Sequence, residues 1–224
     1  MSLPPSNFDL IHVGKCAGES VKHELNKAGI KFRPIHVQKP KADRTKRFIT
    51  LVRDPADRFV SAYNWRKFIL SKQALGAGNW PNLKEAWESE LLNLYPSAND
   101  LIEALNPDDP TVGLHAGISL LHLIGHITIG FSWYLDTLLD EISADQMIAA
   151  IAVESASDDL RNLFGIEMKS LANANYPKDT FLSTQSRIKL ANIFQGEYRT
   201  LRRLASILHA GGGYLPSPLQ SYLP

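Results

Sequence analysis

The segment from Phe8 to Val21 constrains the fold of this chain more than any other stretch, because it combines a strand, a loop and the start of a helix. Its apolar residues Leu10, Ile11 and Val13 predict a short buried strand. The residues that follow the loop continue as a helix that ends at a glycine, Gly29. A unit of this kind predicts an α/β protein with a parallel sheet.

The loop of this unit has the composition of an anion-binding turn. Gly14 and Gly18 are four residues apart, which lets the backbone curl so that several N–H groups point at one spot. The helix that follows adds the positive end of its dipole. Lys15 adds a full positive charge, so we expect the loop to bind an anionic group.

The loop departs from the motif of nucleotide-hydrolysing P-loops. That motif places Lys and then Ser or Thr directly after its second glycine. Here Gly18 is followed by Glu19 and Ser20, and Lys15 comes four residues too early. Binding of a nucleoside triphosphate with Mg²⁺ is therefore disfavoured, although a P-loop kinase or nucleotide hydrolase is kept as an alternative.

A second strand-to-helix junction follows at residues 48–63. Phe48 to Val52 is rich in β-branched and aromatic residues and predicts a strand that ends at Arg53. Asp54 is predicted to cap the helix that follows, whose apolar stripe is Phe59, Val60 and Tyr63. Arg53 is expected at the carboxyl end of a parallel strand, where open α/β sheets bind their ligands.

Both junctions resemble motifs of the sulfotransferases that use 3′-phosphoadenosine 5′-phosphosulfate, and the carbohydrate sulfotransferases in particular. Residues 12–20, His-Val-Gly-Lys-Cys-Ala-Gly-Glu-Ser, are similar to that family's loop His-x-Pro-Lys-Thr-Ala/Gly-Gly-Thr-Ser. Residues 52–63 match its motif Val-Arg-Asp-Pro-x-x-Arg-x-x-Ser-x-Tyr at every fixed position. Two such motifs in the right order, about 40 residues apart, make a chance match of both improbable.

The resemblance implies a reaction and a set of site residues. The implied reaction is sulfuryl transfer to an acceptor hydroxyl or amine, which leaves adenosine 3′,5′-bisphosphate and needs no metal. The 5′-phosphosulfate would be bound by the loop, with Lys15 as its charged and catalytic member. The 3′-phosphate would be bound by Arg53 and Ser61, whereas Arg58 and Tyr63 are expected to pack within the motif. The other implied loop contacts to the cofactor are Cys16, Ala17, Gly18, Glu19 and Ser20.

The resemblance also implies a general base near the sulfuryl group, often placed shortly after the second strand. His36 lies at the end of the predicted strand at 30–37 and is the first candidate. Glu19 is the second, because it stands where the family has Thr. A carboxylate there repels a phosphosulfate unless it is turned away, neutralised by Lys15 or used as the base.

The rest of the chain completes the predicted fold. We expect one sulfotransferase-like domain over 1–224: a P-loop-like α/β fold whose parallel sheet is flanked by helices, with a largely helical insertion at about 64–145. Further elements are a strand at 30–37 interrupted by Pro34, a strand at 147–153 whose alanine content leaves a helix as the alternative, helices at 154–165 and 184–208, and a tail from about 210 to 224 that is poorly ordered unless it docks.

In the sulfotransferase resemblance the middle region shapes the acceptor site, which implies acceptor contacts from His126, Trp133 and Tyr134. A metal site is the alternative interpretation of His115, His122 and His126, since two of them lie at helical spacing. It needs a third ligand of defined geometry. We interpret these histidines as core or pocket residues and predict no metal.

The distribution of charged residues limits the classes of ligand that we expect the protein to bind. Residues 1–72 carry 15 Lys and Arg against 6 Asp and Glu, although the whole chain is only +1, so the amino-terminal part that contains both motifs is strongly basic. The charges are dispersed with few interleaved aromatics, which disfavours nucleic acid. We expect a glycan or small-molecule acceptor, with lipid and peptide-tyrosine acceptors left open, as is the oligomeric state.

The sequence also bears on location and on competing functions. No stretch has the roughly 18 apolar residues of a membrane span, and the first residues lack the pattern of a signal peptide, so a cytoplasmic location is expected. The single cysteine, Cys16, fits a reducing compartment and is interpreted as a small loop residue rather than a nucleophile. A catalytically inactive relative that only binds an anion is the remaining alternative.

Overall fold

The computed structural model describes residues 7–73, 83–105, 121–168 and 179–223. The chain divides into two compact units. The first comprises 1–53, 129–174 and 196–224, and the second 54–128 and 175–195. A single domain over 1–224 stays a prediction.

The first unit is built on a four-stranded, all-parallel sheet, which confirms the predicted α/β class. Its strands are β1 (Phe8–Ile11), β2 (Phe32–Ile35), β3 (Phe48–Val52) and β4 (Met147–Ala152), in the order β2-β1-β3-β4. The strand order reverses at β1, because β2 lies on one side of it and β3 on the other. The crevice outside the carboxyl ends of β1 and β3 is therefore the topological switch point.

Burial of the strands follows their position in the sheet. Every residue of β1 and β3 is buried, and β4 is almost entirely so. β2 is an edge strand with two exposed residues, Arg33 and Pro34, and Pro34 has no N–H to offer a further strand. The predicted strand at 30–37 is thus shorter than expected and lies at the edge.

The helices of this unit contribute their apolar faces to one core with the sheet. They are α1 (Gly18–Lys27), α5 (Phe131–Glu141), α6 (Ala156–Phe164), α8 (Gln195–Ala210) and α9 (Ser217–Gln220). Short 3₁₀ turns cover Ala144–Gln146 and Val153–Ser155. The carboxyl-terminal tail docks, since Tyr214 pairs with β4 through N–H to Ile148 O and O to Ala150 N–H, and Leu219 is buried.

The described part of the second unit is helical, as expected for the middle of the chain. Its helices are α2 (Pro55–Gln73), α3 (Leu83–Leu94), α4 (Ala98–Ala104) and α7 (Thr184–Ile193). α2 begins inside the second motif and passes through residue 64, so the predicted start of the insertion falls within a helix. Asp54 caps α2 as predicted, because its Oδ1 accepts from Ala56 N (2.9 Å) and Asp57 N (3.2 Å).

The predicted single helix at 184–208 is wrong. Phe194 ends α7 with φ −96° and ψ 23°, and α8 begins at the next residue. The Phe194 ring packs at 6.1 Å from that of Phe59, and the burial of this aromatic side chain outweighs the amphipathic pattern that runs through the break.

Candidate anion-binding site at the carboxyl ends of the strands

The loop between β1 and α1 turns through two non-glycine residues in the left-handed region. Lys15 has φ 69° and Ala17 has φ 56°. Ala17 is the N-cap of α1, and its carbonyl accepts from Val21 N at 3.1 Å. The first turn of α1 therefore lies at the end of the loop. The first amides of a helix have no hydrogen-bond partner within the helix, which is why such a position suits an anion.

Gly18 is required for space rather than for a left-handed backbone. A Cβ built at Gly18 would overlap the ring of His12 well inside van der Waals distance. The sequence predicted that the two glycines would curl the loop, but the positive φ angles fall on Lys15 and Ala17 instead. Gly18 lets the buried His12 ring pack directly on the helix backbone.

His12 and His36 form a stacked pair. Their ring centroids are 4.2 Å apart and their planes lie 18° from parallel. His36 Nδ1 is 2.8 Å from the carbonyl oxygen of His12. A carbonyl oxygen only accepts, so Nδ1 carries the proton and, in the neutral ring, Nε2 keeps its lone pair. His36 is exposed, whereas His12 is buried.

The residue after His36 is held in a strained conformation. Val37 has φ 55°, which for a β-branched residue is an outlier that costs roughly 1–3 kcal/mol. Its N–H donates to the hydroxyl oxygen of Tyr134 at 2.8 Å, and Tyr134 is only 2 % exposed. Next to Tyr134, the partly buried Trp133 faces the Lys39 ammonium, 5.7 Å from the ring centroid. Acceptor contacts from Trp133 and Tyr134 stay predictions.

Glu19 is neutralised by a lysine, but not by the one that the sequence suggested. Its Oε1 lies 2.6 Å from Lys22 Nζ and 4.0 Å from His12 Nδ1, and its side chain is 63 % exposed. The hydrogen bond from Lys22 lowers the pKa of Glu19 below its ordinary value, against an opposing effect of burial. Glu19 therefore carries its negative charge in an ion pair with Lys22.

Arg53 connects the second motif to the loop. It follows β3, and its Nη1 lies 3.4 Å from the carbonyl oxygen of Lys15. Its Nε is buried and, within the described residues, has no hydrogen-bond partner. Arg53 and Lys15 thus come together at the switch point between β1 and β3, although they are 38 residues apart.

Comparison of the chain with protein-family models, with curated proteins and with solved structures finds no match in any of the three.

Cys16 is buried within the same loop. Its side chain is 1 % exposed, and Sγ lies 3.9 Å from the carbonyl oxygen of Gly14. This position is consistent with a small residue that fills space beneath the loop.

The second unit contains the remaining residues of the second motif. Arg58 is buried and donates through Nη1 to His126 O (2.8 Å) and through Nη2 to Ile127 O (3.4 Å), as expected for a packing residue. Tyr63 is also fully buried and donates to the carbonyl of Tyr95. Ser61 lies on α2 and is partly buried. Its role toward a 3′-phosphate stays a prediction.

The expected placement of the histidines is partly wrong. His122 and His126 are exposed and lie in turns rather than on one helix, and His126 has φ 72°. The helical spacing fails because this segment turns at Gly125, whose N–H donates to the buried carboxylate of Glu88. His115 lies outside the described residues. An acceptor contact from His126 stays a prediction.

Across 7–73, 83–105, 121–168 and 179–223, no three His, Cys, Asp or Glu side chains are arranged to hold a metal ion. Within the same ranges, no helix has both the length and the apolar character that crossing a membrane requires.

Three relationships in this site were not foreseen from the sequence: the stack of His12 on His36, the pairing of Glu19 with Lys22 and the bond from Val37 to Tyr134. The stack of His12 on His36 follows from the pairing of the two strands that precede these histidines. β1 and β2 pair with Ile11 opposite Ile35, so the residues that follow the two strands are neighbours. The pairing of Glu19 with Lys22 could be anticipated from their spacing, since Glu and Lys three residues apart meet on a helix.

Proposed function

We propose that this protein is a sulfotransferase that moves a sulfuryl group from 3′-phosphoadenosine 5′-phosphosulfate to an acceptor hydroxyl or amine. The observation that carries the proposal is the approach of Arg53 to the Lys15 loop at the switch point of the parallel sheet. Arg53, from the motif that resembles the family's 3′-phosphate motif, thereby lies beside the loop that resembles its phosphosulfate motif, at the carboxyl ends of two paired strands.

The residues at this edge suit a ligand with two phosphate groups. Lys15 and the first amides of α1 would bind the 5′-phosphosulfate, together with the loop residues 16–20. Arg53 offers a buried Nε donor and a planar guanidinium that can grip a phosphate bidentately. When bound, the cofactor would supply an activated sulfuryl group whose leaving group is adenosine 3′,5′-bisphosphate.

His36 is the better candidate for the base. Its Nδ1–H donates to the His12 carbonyl, so Nε2 is the atom that can take the proton from an acceptor hydroxyl or amine. The new bond would form between that acceptor atom and sulfur as the bond from sulfur to the 5′-phosphate oxygen breaks. Lys15 would stabilise the negative charge on the departing phosphate. Glu19 is less suited, because Lys22 stabilises its ionised form and lowers its basicity.

A carbohydrate is the proposed acceptor class. Trp133 is a partly buried aromatic residue on α5, and aromatic faces suit sugar rings. The residues of both motifs also support this class. They resemble those of the carbohydrate sulfotransferases more than those of the sulfotransferases that act on phenols and steroids. His126 remains a candidate acceptor contact from its position in the sequence.

The experiment is transfer of ³⁵S-sulfuryl from labelled cofactor to a panel of glycans, lipids and phenols by wild type, His36→Ala and Glu19→Gln. We expect His36→Ala to lower kcat by about 10²–10⁴-fold, whereas Glu19→Gln retains kcat within a few-fold. Both variants should still bind adenosine 3′,5′-bisphosphate. Equal rates for wild type and His36→Ala would show that the base is another group, and loss of rate in Glu19→Gln alone would reverse the assignment.

A further inference from the structure

The segment that carries His36 leaves the edge strand through a strained residue. Val37 is 60 % exposed and β-branched, and nothing in its own side chain favours φ 55°. Such a conformation persists only where surrounding contacts over-determine it. The contact that does so is with Tyr134, 97 residues later in the chain, whose hydroxyl accepts the Val37 N–H at 2.8 Å.

That hydrogen bond bears directly on the orientation of His36. The Val37 N–H and the His36 carbonyl belong to the same peptide unit. A hydrogen bond to this N–H therefore fixes the orientation of the peptide plane between His36 and Val37. The other end of the His36 residue is fixed by its ring, through Nδ1 on the His12 carbonyl and the stack on the His12 ring. The two anchors together determine the direction of Nε2.

Tyr134 is itself rigidly placed. It lies one turn into α5, and its buried ring contacts Trp133 edge to face with centroids 4.8 Å apart. The start of α5 is capped by a distant carboxylate, because Glu197 accepts from Phe131 N (2.6 Å), Ser132 N (3.2 Å) and Ser132 Oγ (2.6 Å). The hydroxyl of Tyr134 is therefore a fixed point against which the strained residue can be held.

We propose that Tyr134 is a positioning residue for His36: its hydroxyl holds the Val37 N–H, keeps Val37 in the left-handed region and so keeps the His36 ring on His12 with Nε2 directed outward. Tyr134 then acts through the backbone that follows β2 rather than by touching an acceptor. The catalytic consequence rests on the proposed function, whereas the geometric one does not.

The wild-type protein offers a direct test of the geometry. Val37 is exposed, so its amide should exchange with solvent quickly unless Tyr134 holds it. We expect the Val37 amide to exchange at least tenfold more slowly than the amides of Gln38 and Lys39, once intrinsic rates are corrected. Exchange of Val37 at the rate of those neighbours would overturn the proposal, whatever a variant does.

The variant Tyr134→Phe removes only the hydroxyl. We expect loss of the Val37 protection, and a shift of the His36 ring ¹⁵N resonances toward a mixture of tautomers. If the protein is a sulfotransferase, kcat should fall by about 10–100-fold with unchanged affinity for adenosine 3′,5′-bisphosphate, because the base is displaced and the anion loop is not. Tyr198→Phe is the matched control, since that tyrosine lies on α8 with its ring stacked on Tyr222.

The outcomes separate the two proposals. Loss of the Val37 protection and altered His36 resonances in Tyr134→Phe, in a protein without sulfuryl transfer, would support the positioning role and contradict the proposed function. Unaltered His36 resonances and unaltered kcat in a folded Tyr134→Phe variant would overturn the positioning role even if the enzyme is a sulfotransferase.

Discussion

His36 lies on His12 with ring centroids 4.2 Å apart, and its Nδ1 meets the carbonyl oxygen of the same residue at 2.8 Å. The candidate base is thus attached to the first residue of the candidate anion-binding loop by both its ring face and its hydrogen bond. Any change that moves His12 should move His36 as well. The loop and the base therefore form one structural element.

Replacement of Gly18 by Ala tests this coupling. The added Cβ overlaps the His12 ring, so the ring must leave its position. We expect the free energy of unfolding to fall by about 1–3 kcal/mol, as for other overpacked sites, with weaker bisphosphate binding. Chemical denaturation and calorimetric titration measure the two effects.

The matched control for that substitution is Gly196→Ala on α8. Among the described residues, no atom outside the helix's own backbone lies within 4 Å of a Cβ built at Gly196, and Ala is the better helix former. Its stability should be unchanged or slightly raised. Equal losses in both variants would mean that His12 does not depend on Gly18.

Arg53→Lys should weaken binding of adenosine 3′,5′-bisphosphate by about 10–100-fold while leaving the melting temperature of the unliganded protein nearly unchanged. A lysine keeps the charge but loses the planar pair of donors that suits a phosphate. Calorimetric titration gives the affinity. Arg199→Lys, on an exposed position of α8, is the control. A similar affinity for Arg53→Lys and wild type would remove Arg53 from the ligand site.

Glu19→Gln should flatten the dependence of stability on pH. The pKa of Glu19 is lowered in the folded protein, chiefly by Lys22, so its contribution is present above the unfolded pKa of about 4.3 and is lost as pH falls through the lower folded value. The Glu19 side chain is exposed, so the effect should not exceed about 1 kcal/mol. Thermal unfolding between pH 6 and pH 3 measures it, with Glu24→Gln on the same helix as control.

The same variant should bind the bisphosphate a few-fold more tightly, because it removes a negative charge beside an anionic ligand. The gain should shrink as salt is added. Weaker binding by Glu19→Gln would indicate that the carboxylate supports the loop instead of opposing the ligand.

Tyr214→Phe should lower the stability of the protein by removing one hydrogen bond of the carboxyl-terminal segment. The Tyr214 hydroxyl donates to Asp159 Oδ1 at 2.8 Å, and the other carboxylate oxygen of Asp159 accepts from Ala152 N and Ser155 Oγ. Loss of one hydrogen bond to a buried carboxylate should lower the free energy of unfolding by roughly 1–3 kcal/mol. Denaturation of Tyr214→Phe beside Tyr222→Phe measures it, and equal stability of the two would contradict the inferred role of this bond.

Local sequence signals predicted the parts of the fold that depend on neighbouring residues. The strand Phe48–Val52 has the predicted bounds, Asp54 caps α2, and Gly29 follows α1 with φ 71°. Each depends on residues close in the chain, such as a run of β-branched side chains, a capping carboxylate or a glycine that can adopt a positive φ.

The errors and omissions depend on contacts that are distant in the sequence. The break at Phe194 follows from the burial of that ring on Phe59, and the amphipathic pattern does not encode it. The bond from Val37 to Tyr134 joins residues 97 apart, and no local preference predicts a valine with positive φ. Only the packing of α5 against the sheet brings those two residues together.

The most direct test of the proposed function is calorimetric titration of the wild-type protein with adenosine 3′,5′-bisphosphate in the presence of EDTA, beside titration with ATP and with GTP in Mg²⁺. The two-phosphate site that we propose at Lys15 and Arg53 predicts metal-independent binding of the bisphosphate at micromolar or tighter concentration, and much weaker binding of both triphosphates. Binding of ATP or GTP with Mg²⁺, in the absence of any binding of the bisphosphate, would contradict the sulfotransferase assignment.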